Sequence, residues 1–137
     1  MEQVERLTLF FPADRKYLSL VGTLIHELQR FAPNLSDALG YNIGLAVDEA
    51  LANVITHAYG NDRSGKVELA IEIAPRRLTI CIRDWGASYD PKKVREPDFG
   101  RPEERGYGLY LIRKLMDEVD YTPNAQTGNQ ATLVKYL

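Results

Sequence analysis

The hydrophobic residues of the chain follow two kinds of spacing, one typical of strands and one typical of helices. Residues 7–11 form a run of strand-forming residues, which predicts an opening strand. Apolar residues then recur at three- and four-residue intervals as far as Phe31, which predicts a first helix. The same spacing from about Ser36 to about Ala58 predicts a second, longer helix.

The second half of the chain predicts strands around one further helix. Residues 67–73 and 78–83 alternate apolar and polar side chains on either side of a tight turn, which indicates a β-hairpin. Residues 86–105 carry three prolines and many charges without periodicity, so a loop is expected. A helix at 107–120 and a strand at 131–136 follow. This order predicts a two-layer α/β sandwich, with helices on one face of a mixed, mostly antiparallel sheet.

Composition narrows the class of protein. A chain of 137 residues is the usual size of a single domain, so one domain spanning 1–137 is expected. The net charge of −2 gives no reason to expect nucleic acid or an anionic membrane as partner. Cys81 is the single cysteine and cannot form an internal disulfide. The acidic first residues are unlike a secretory signal, and no apolar run is long enough to span a membrane, so we expect a cytoplasmic protein.

The predicted second helix carries the first candidate chemistry. Glu49 and Asn53 are one turn apart and therefore share a helix face, which His57 continues. An amide oxygen is a suitable ligand for Mg²⁺, which keeps most of its waters and bridges to phosphates, and a carboxylate nearby can deprotonate a nucleophile. On their own, the same residues also fit the solvated face of an amphipathic helix, with His57 near its end in a local capping role.

Two glycine motifs follow the helix. Asp84 closes a strand two residues before Gly86, so its carboxylate could accept the exocyclic N–H of adenine while Gly86 lets the backbone approach the base. A simple strand-ending turn has the same pattern. Gly106 and Gly108 lie at the head of the third helix, where unobstructed backbone N–H groups favour phosphate. A helix start that only needs a flexible backbone is the alternative.

In their order, these motifs resemble the three nucleotide boxes of the family named after gyrase, heat-shock protein 90, histidine kinases and MutL. Within it, residues 48–59 and 102–113 are most similar to the anti-sigma-factor serine kinases of the RsbW and SpoIIAB type. The resemblance implies the Bergerat ATP-binding fold, a homodimer, and transfer of the ATP γ-phosphate to a serine of an anti-anti-sigma partner. It leaves open whether a sigma factor is a second partner.

The resemblance also implies roles for individual residues. Asn53 would hold Mg²⁺, Glu49 would act as the catalytic base, and Asp84 would recognise adenine. The lid arginines, Arg101 and Arg105, would lie beside the γ-phosphate. The residues that would contact the nucleotide are Asn53, Asp84, Gly86, Ala87, Arg101, Arg105, Gly106, Tyr107, Gly108 and Leu109.

The chain departs from the family pattern at Ser88, where a second glycine is common, and we expect Ser88 to restrict the hinge of the lid. The function predicted from the sequence is an ATP-dependent protein serine/threonine kinase that also sequesters a regulatory partner. The alternative is a catalytically silent binding module gated by ATP or ADP. A detached histidine-kinase catalytic domain is a third reading, disfavoured because the first strand begins a few residues after Met1.

Overall fold

A computed structural model describes residues 3–88 and 107–137. None of the helices in these two ranges is long and apolar enough to cross a membrane. A 3₁₀ turn, Leu28–Arg30, follows the first helix, and a π-helical turn, Val54–Ala58, extends the second. The elements in chain order are β1 (Glu5–Pro12), α1 (Lys16–Glu27), α2 (Asp37–Asn53), β2 (Lys66–Ala74), β3 (Arg77–Asp84), α3 (Tyr107–Leu115), β4 (Glu118–Thr122) and β5 (Asn129–Tyr136).

The five strands form one sheet in the order β1-β2-β3-β5-β4. All four neighbouring pairs are antiparallel. The predicted two-layer α/β sandwich is therefore confirmed, but the mixed component that we expected in the sheet is absent from the described strands. In this register Asp84 at the end of β3 lies opposite Val67 on one side and Asn129 on the other.

The two faces of the sheet differ because side chains alternate along each strand. Leu69, Ile80 and Leu133 point to the helical layer and are fully buried with Ile43 and Val47 of α2. Burial of such aliphatic side chains contributes roughly 1.5–3 kcal/mol each, so this layer holds the helices on the sheet.

The opposite face of the sheet is polar. Glu68, Arg83 and Gln130 lie in one row across β2, β3 and β5. The Arg83 guanidinium donates a 2.8 Å hydrogen bond to Gln130 Oε1. Among the residues that the structure describes, the helices therefore lie on one face of the sheet, as the alternation in the sequence predicted.

Side-chain hydrogen bonds lie at the starts of the first two helices, and at α2 the bond is made by the N-cap residue itself. Ser36 Oγ accepts a 3.2 Å hydrogen bond from the Leu39 N–H, which satisfies one of the free donors at the start of α2. Asp14 Oδ1 accepts the Lys16 N–H at 3.0 Å in the first turn of α1. The start of α2 agrees with the sequence prediction.

The end of the third helix was predicted wrongly. The apolar spacing suggested a helix as far as Asp120, whereas α3 ends at Leu115 and residues 118–122 form β4. The Asp117 N–H donates to the Val134 carbonyl at 2.9 Å, so the chain leaves the helix to pair with β5. Lys135 Nζ donates to the Leu115 carbonyl at 2.9 Å and satisfies the helix end. Val119 suited either pattern, and the long-range pairing decided between them.

Candidate functional site

A cavity of about 730 Å³ lies between α2, α3 and the β4–β5 side of the sheet. This volume is within the usual range of small-molecule sites. Ala50 and Val54 of α2 and Leu109 and Ile112 of α3 supply apolar lining, and Asp84 supplies a carboxylate. A largely apolar pocket with one buried acid is suited to a flat, partly polar ligand such as a nucleobase.

The Asp84 carboxylate is buried, with 2% of the residue exposed. Its Oδ1 accepts the Gly86 N–H at 3.0 Å and the Asn129 Nδ2–H at 2.9 Å. Burial raises the pKa of Asp84, while these two hydrogen bonds to the charged form act in the opposite direction. Both bonds use Oδ1, so within the described ranges Oδ2 has no protein donor and is available to a ligand N–H.

Asn129 holds this carboxylate in place, and sequence reasoning missed it because the predicted strand began only at residue 131. The side chain is buried, and its Nδ2 donates to the Gly86 carbonyl at 3.0 Å as well as to Asp84. Its Oδ1 accepts the Asn124 N–H at 3.1 Å. The signal that was missed is the alternation of side chains along β5. Asn129 lies two residues before Ala131 and therefore faces the same, helical side of the sheet. A polar residue at an inward position indicates a buried hydrogen-bond network.

Gly86 lies close to the π-helical turn that extends α2. A Cβ at this position would lie 2.2 Å from the Ala58 carbonyl oxygen. That carbonyl also accepts the Ala87 N–H at 2.8 Å. The π-helical turn that ends at Ala58 thus anchors the segment after β3. Such turns are frequent at functional sites. Packing on this turn requires glycine at position 86 whether or not a base binds beside it, and the approach of Gly86 to a base stays a prediction.

Glu49 and Asn53 lie one turn apart on α2, each partly exposed, beside cavity-lining Ala50 and Val54. Neither side chain hydrogen-bonds to a residue in the described ranges. Burial raises the pKa of Glu49, and the nearby Asp48 carboxylate raises it further. An uncommitted amide oxygen beside the cavity fits an Mg²⁺ that keeps most of its waters and bridges to phosphates.

The start of α3 forms another wall of the cavity. The helix begins at Tyr107 with Gly108 in its first turn, as predicted. Leu109 is buried and lines the cavity. The first N–H groups of a helix lack intrahelical partners and attract anions, so phosphate binding is chemically suited to this end. Arg101, Arg105 and Gly106, predicted to contact the nucleotide, lie outside the described residues.

The structure therefore brings together some of the predicted residues. Asp84 and Leu109 line one cavity, and so does Ser88, the position that departs from the family pattern. Glu49 and Asn53 are neighbours of its α2 wall. Ala87 is exposed and is tied to the helix end through its backbone N–H.

Comparison with known proteins agrees with this arrangement. Residues 11–135 match the sequence profile of the histidine kinase-like ATPase domain. The chain belongs to this family. The family predicted from the three motifs is thereby confirmed.

Proteins named serine-protein kinase RsbW are similar over most of the chain. The Staphylococcus epidermidis protein is 35% identical over 92% of this chain and 83% of its own length. The Bacillus thuringiensis protein is 29% identical over the whole chain and 88% of its own length. The match to the Oceanobacillus iheyensis protein is 33% identical over 70% of this chain and spans 65% of that relative. The predicted class of enzyme agrees with these names.

Two solved structures share the fold. The Erythrobacter litoralis EL346 blue-light activated histidine kinase superimposes with a TM-score of 0.58 and 22% identity, over 90% of this chain and 41% of the kinase. The mycobacterial sensor histidine kinase MprB has a TM-score of 0.54 and 18% identity, over 98% and 97% of the two chains. At these identities the likeness establishes the fold of this histidine kinase-like ATPase domain and nothing further.

The raised pKa of Glu49 leads to a prediction for Asp48→Asn. Removing the exposed Asp48 carboxylate takes away a like charge, so the pKa of Glu49 should fall toward the ordinary glutamate value. Carboxyl NMR titration measures this shift directly. Asp37→Asn is the control, because Asp37 lies roughly 18 Å from Glu49 along α2, beyond the screening length of about 8 Å. Equal shifts in both variants would contradict the assigned cause.

A second prediction concerns Asn129→Ala. Loss of the amide removes one of the two protein donors to Asp84 Oδ1 and leaves the Gly86 carbonyl without its partner. We expect a loss of stability of about 1–3 kcal/mol and weaker ATP binding. Chemical unfolding and calorimetric titration are the measurements. Asn34→Ala, which removes an exposed hydrogen bond to the Pro75 carbonyl, should leave ATP binding unchanged.

Proposed function

We propose that this protein is an ATP-dependent protein serine/threonine kinase and anti-sigma regulatory factor. It transfers the γ-phosphate to a serine of an anti-anti-sigma-type partner and sequesters a regulatory protein, for which a sigma factor is the candidate. The observation that carries the proposal is the buried Asp84 carboxylate in a cavity beside the Glu49–Asn53 face of α2. The names of the full-length relatives support the choice of serine as the acceptor.

Each wall of the cavity has a role in holding ATP. Asp84 Oδ2 accepts a hydrogen bond from the adenine amino group. Because a carboxylate can only accept, the base must have a donor at that position. The first backbone N–H groups of α3 bind the phosphates, a role supported by the attraction of helix starts for anions. Asn53 would hold Mg²⁺, which would neutralise part of the phosphate charge. Phosphoryl transfer depends mainly on such positioning and charge stabilisation.

Glu49 is the proposed catalytic base. Its carboxylate takes the proton of the serine hydroxyl as the serine oxygen forms a bond to the γ-phosphorus and the bond to the ADP oxygen breaks. Burial and Asp48 raise the pKa of Glu49, which makes it a stronger base than an exposed glutamate. The absence of a protein partner for Glu49 within the described ranges leaves the carboxylate accessible to a substrate hydroxyl.

The proposed homodimer forms through the outer edge of β1. This strand ends the sheet, and its outer edge pairs with no other described strand. Leu7 and Leu9 face the helical side of the sheet yet remain 44% and 38% exposed. An exposed strand edge with apolar side chains readily pairs with another strand, and a two-fold axis would let two β1 strands pair in antiparallel fashion.

Leu9→Lys tests the proposed dimer. A charge on β1 should oppose edge pairing, so the variant should be monomeric where the parent has twice the chain mass of 15.5 kDa. Light scattering after size exclusion gives the mass. Tyr41→Lys changes an exposed aromatic residue on α2 and should leave the dimer intact. A dimeric Leu9→Lys protein would place the interface elsewhere.

Glu49→Gln tests the kinase. The substitution preserves volume and helix propensity but removes the proton acceptor, so phosphoryl transfer should fall by roughly 10²- to 10⁴-fold while ATP still binds. Single-turnover phosphorylation of the partner serine is measured beside ATP affinity. Glu27→Gln makes the same chemical change on α1 and should transfer at the parental rate. Parental transfer by Glu49→Gln would reject the base, and no transfer by the parent to its verified partner would favour the silent binding module.

A further inference from the structure

The Tyr59 hydroxyl lies between two strands at the point where they separate. It donates a 2.6 Å hydrogen bond to the Lys66 carbonyl at the start of β2. It also accepts the Trp85 N–H at 2.8 Å, one residue beyond the end of β3. One side chain from the end of the α2 helical segment thus contacts both strands of the hairpin.

The strand register explains what this hydroxyl replaces. Val67 pairs with Asp84, so one further step of the antiparallel ladder would bring Lys66 opposite Trp85. Instead, the Tyr59 oxygen is inserted between the Trp85 N–H and the Lys66 carbonyl. The strands separate there, and the chain after Asp84 turns toward the helical layer, where Ala87 bonds to the Ala58 carbonyl.

The Tyr59 ring has little freedom to move. A Cβ at Gly65 would lie 2.5 Å from the ring, so the aromatic side chain packs directly on the Gly65 backbone. The Gly65 carbonyl is itself held by the Ala13 N–H at 2.7 Å. On the other side, the Tyr59 N–H donates to the Val54 carbonyl at 3.2 Å and closes the π-helical turn. The hydroxyl is therefore held in place from both directions.

The Trp85 N–H belongs to the peptide plane that contains the Asp84 carbonyl. A hydrogen bond that fixes this plane also fixes the direction of the Asp84 backbone, and with it the carboxylate that faces the cavity. The next N–H, that of Gly86, donates to Asp84 Oδ1 and depends on the same local geometry. The Tyr59 hydroxyl therefore helps to orient the Asp84 carboxylate. The hydroxyl itself would not contact the ligand.

We propose that Tyr59 is a positioning residue for adenine recognition, acting through the Trp85 peptide on Asp84. This inference rests on the proposed nucleotide site. It differs from a purely structural role in its consequence: loss of the hydroxyl changes affinity for the base and discrimination among bases, with little effect on the transfer step. The Glu49–Asn53 face lies roughly two to three turns earlier in the helical segment and does not depend on this bond.

The test is Tyr59→Phe, which keeps the ring on Gly65 and removes only the hydroxyl. We expect the Kd and KM for ATP to rise by roughly 3- to 10-fold, the worth of one hydrogen bond, with kcat within about twofold of the parent. The preference for ATP over GTP should fall by a similar factor. Trp85 is the only tryptophan, so its fluorescence reports the change at this position directly.

Tyr136→Phe is the matched control, because it removes a tyrosine hydroxyl that bonds to Glu118 near the other end of the sheet. It should leave ATP affinity and base selectivity unchanged. Gly65→Ala is the second variant: it displaces the ring but retains the hydroxyl, and it should weaken ATP binding in the same direction as Tyr59→Phe.

The outcomes separate this inference from the proposed function. If the parent binds ATP and Tyr59→Phe binds it with the same affinity and selectivity, the positioning role is overturned while the nucleotide site remains. A fall in kcat equal to the loss in kcat/KM would also overturn it, because the hydroxyl would then act in the transfer step. If the parent binds no ATP, the proposed function itself fails.

Discussion

The contact between the end of α2 and the segment after β3 is the constraint on which the site depends. Gly86 passes so close to the Ala58 carbonyl that a side chain would overlap it, and Ala87 satisfies that carbonyl with its N–H. The helical layer and the sheet are thereby joined at the point where the Asp84 carboxylate enters the cavity. A shift of this helix end would move the carboxylate and the α2 wall together.

Burial of Asp84 is unfavourable unless its charge is compensated. Two hydrogen bonds to Oδ1 offset part of the cost, and the raised pKa shows that desolvation remains the larger effect. A ligand N–H at Oδ2 would provide a further partner for the charged form. The incomplete hydrogen bonding of the Asp84 carboxylate lowers the stability of the fold and therefore favours binding of a ligand that carries a donor. Asn129 holds the carboxylate in one orientation.

Helix α2 serves the fold and the chemistry with different faces. Ile43 and Val47 are buried against the sheet, which fixes the height and rotation of the helix. With that rotation set, Glu49 and Asn53 emerge one turn apart beside the cavity wall, where solvent and a partner protein can reach them. The precision of the proposed transfer site thus comes from aliphatic packing on the far side of the same helix.

Local sequence determined the elements whose signals lie close together in the chain: the Ser36 cap, the apolar spacing of α1 and α2, the hairpin of β2 and β3, and the spacing of Glu49 and Asn53. These depend on helix and strand periods, which are properties of neighbouring residues. Tertiary structure decided the rest. Residues 118–122 pair with β5, the next strand in the chain, instead of continuing α3, because hydrogen bonds to that strand outweigh a weak helical pattern. Asn129 donates to Asp84, and Gly86 contacts Ala58, across 45 and 28 residues of sequence, and only tertiary packing brings such distant groups together.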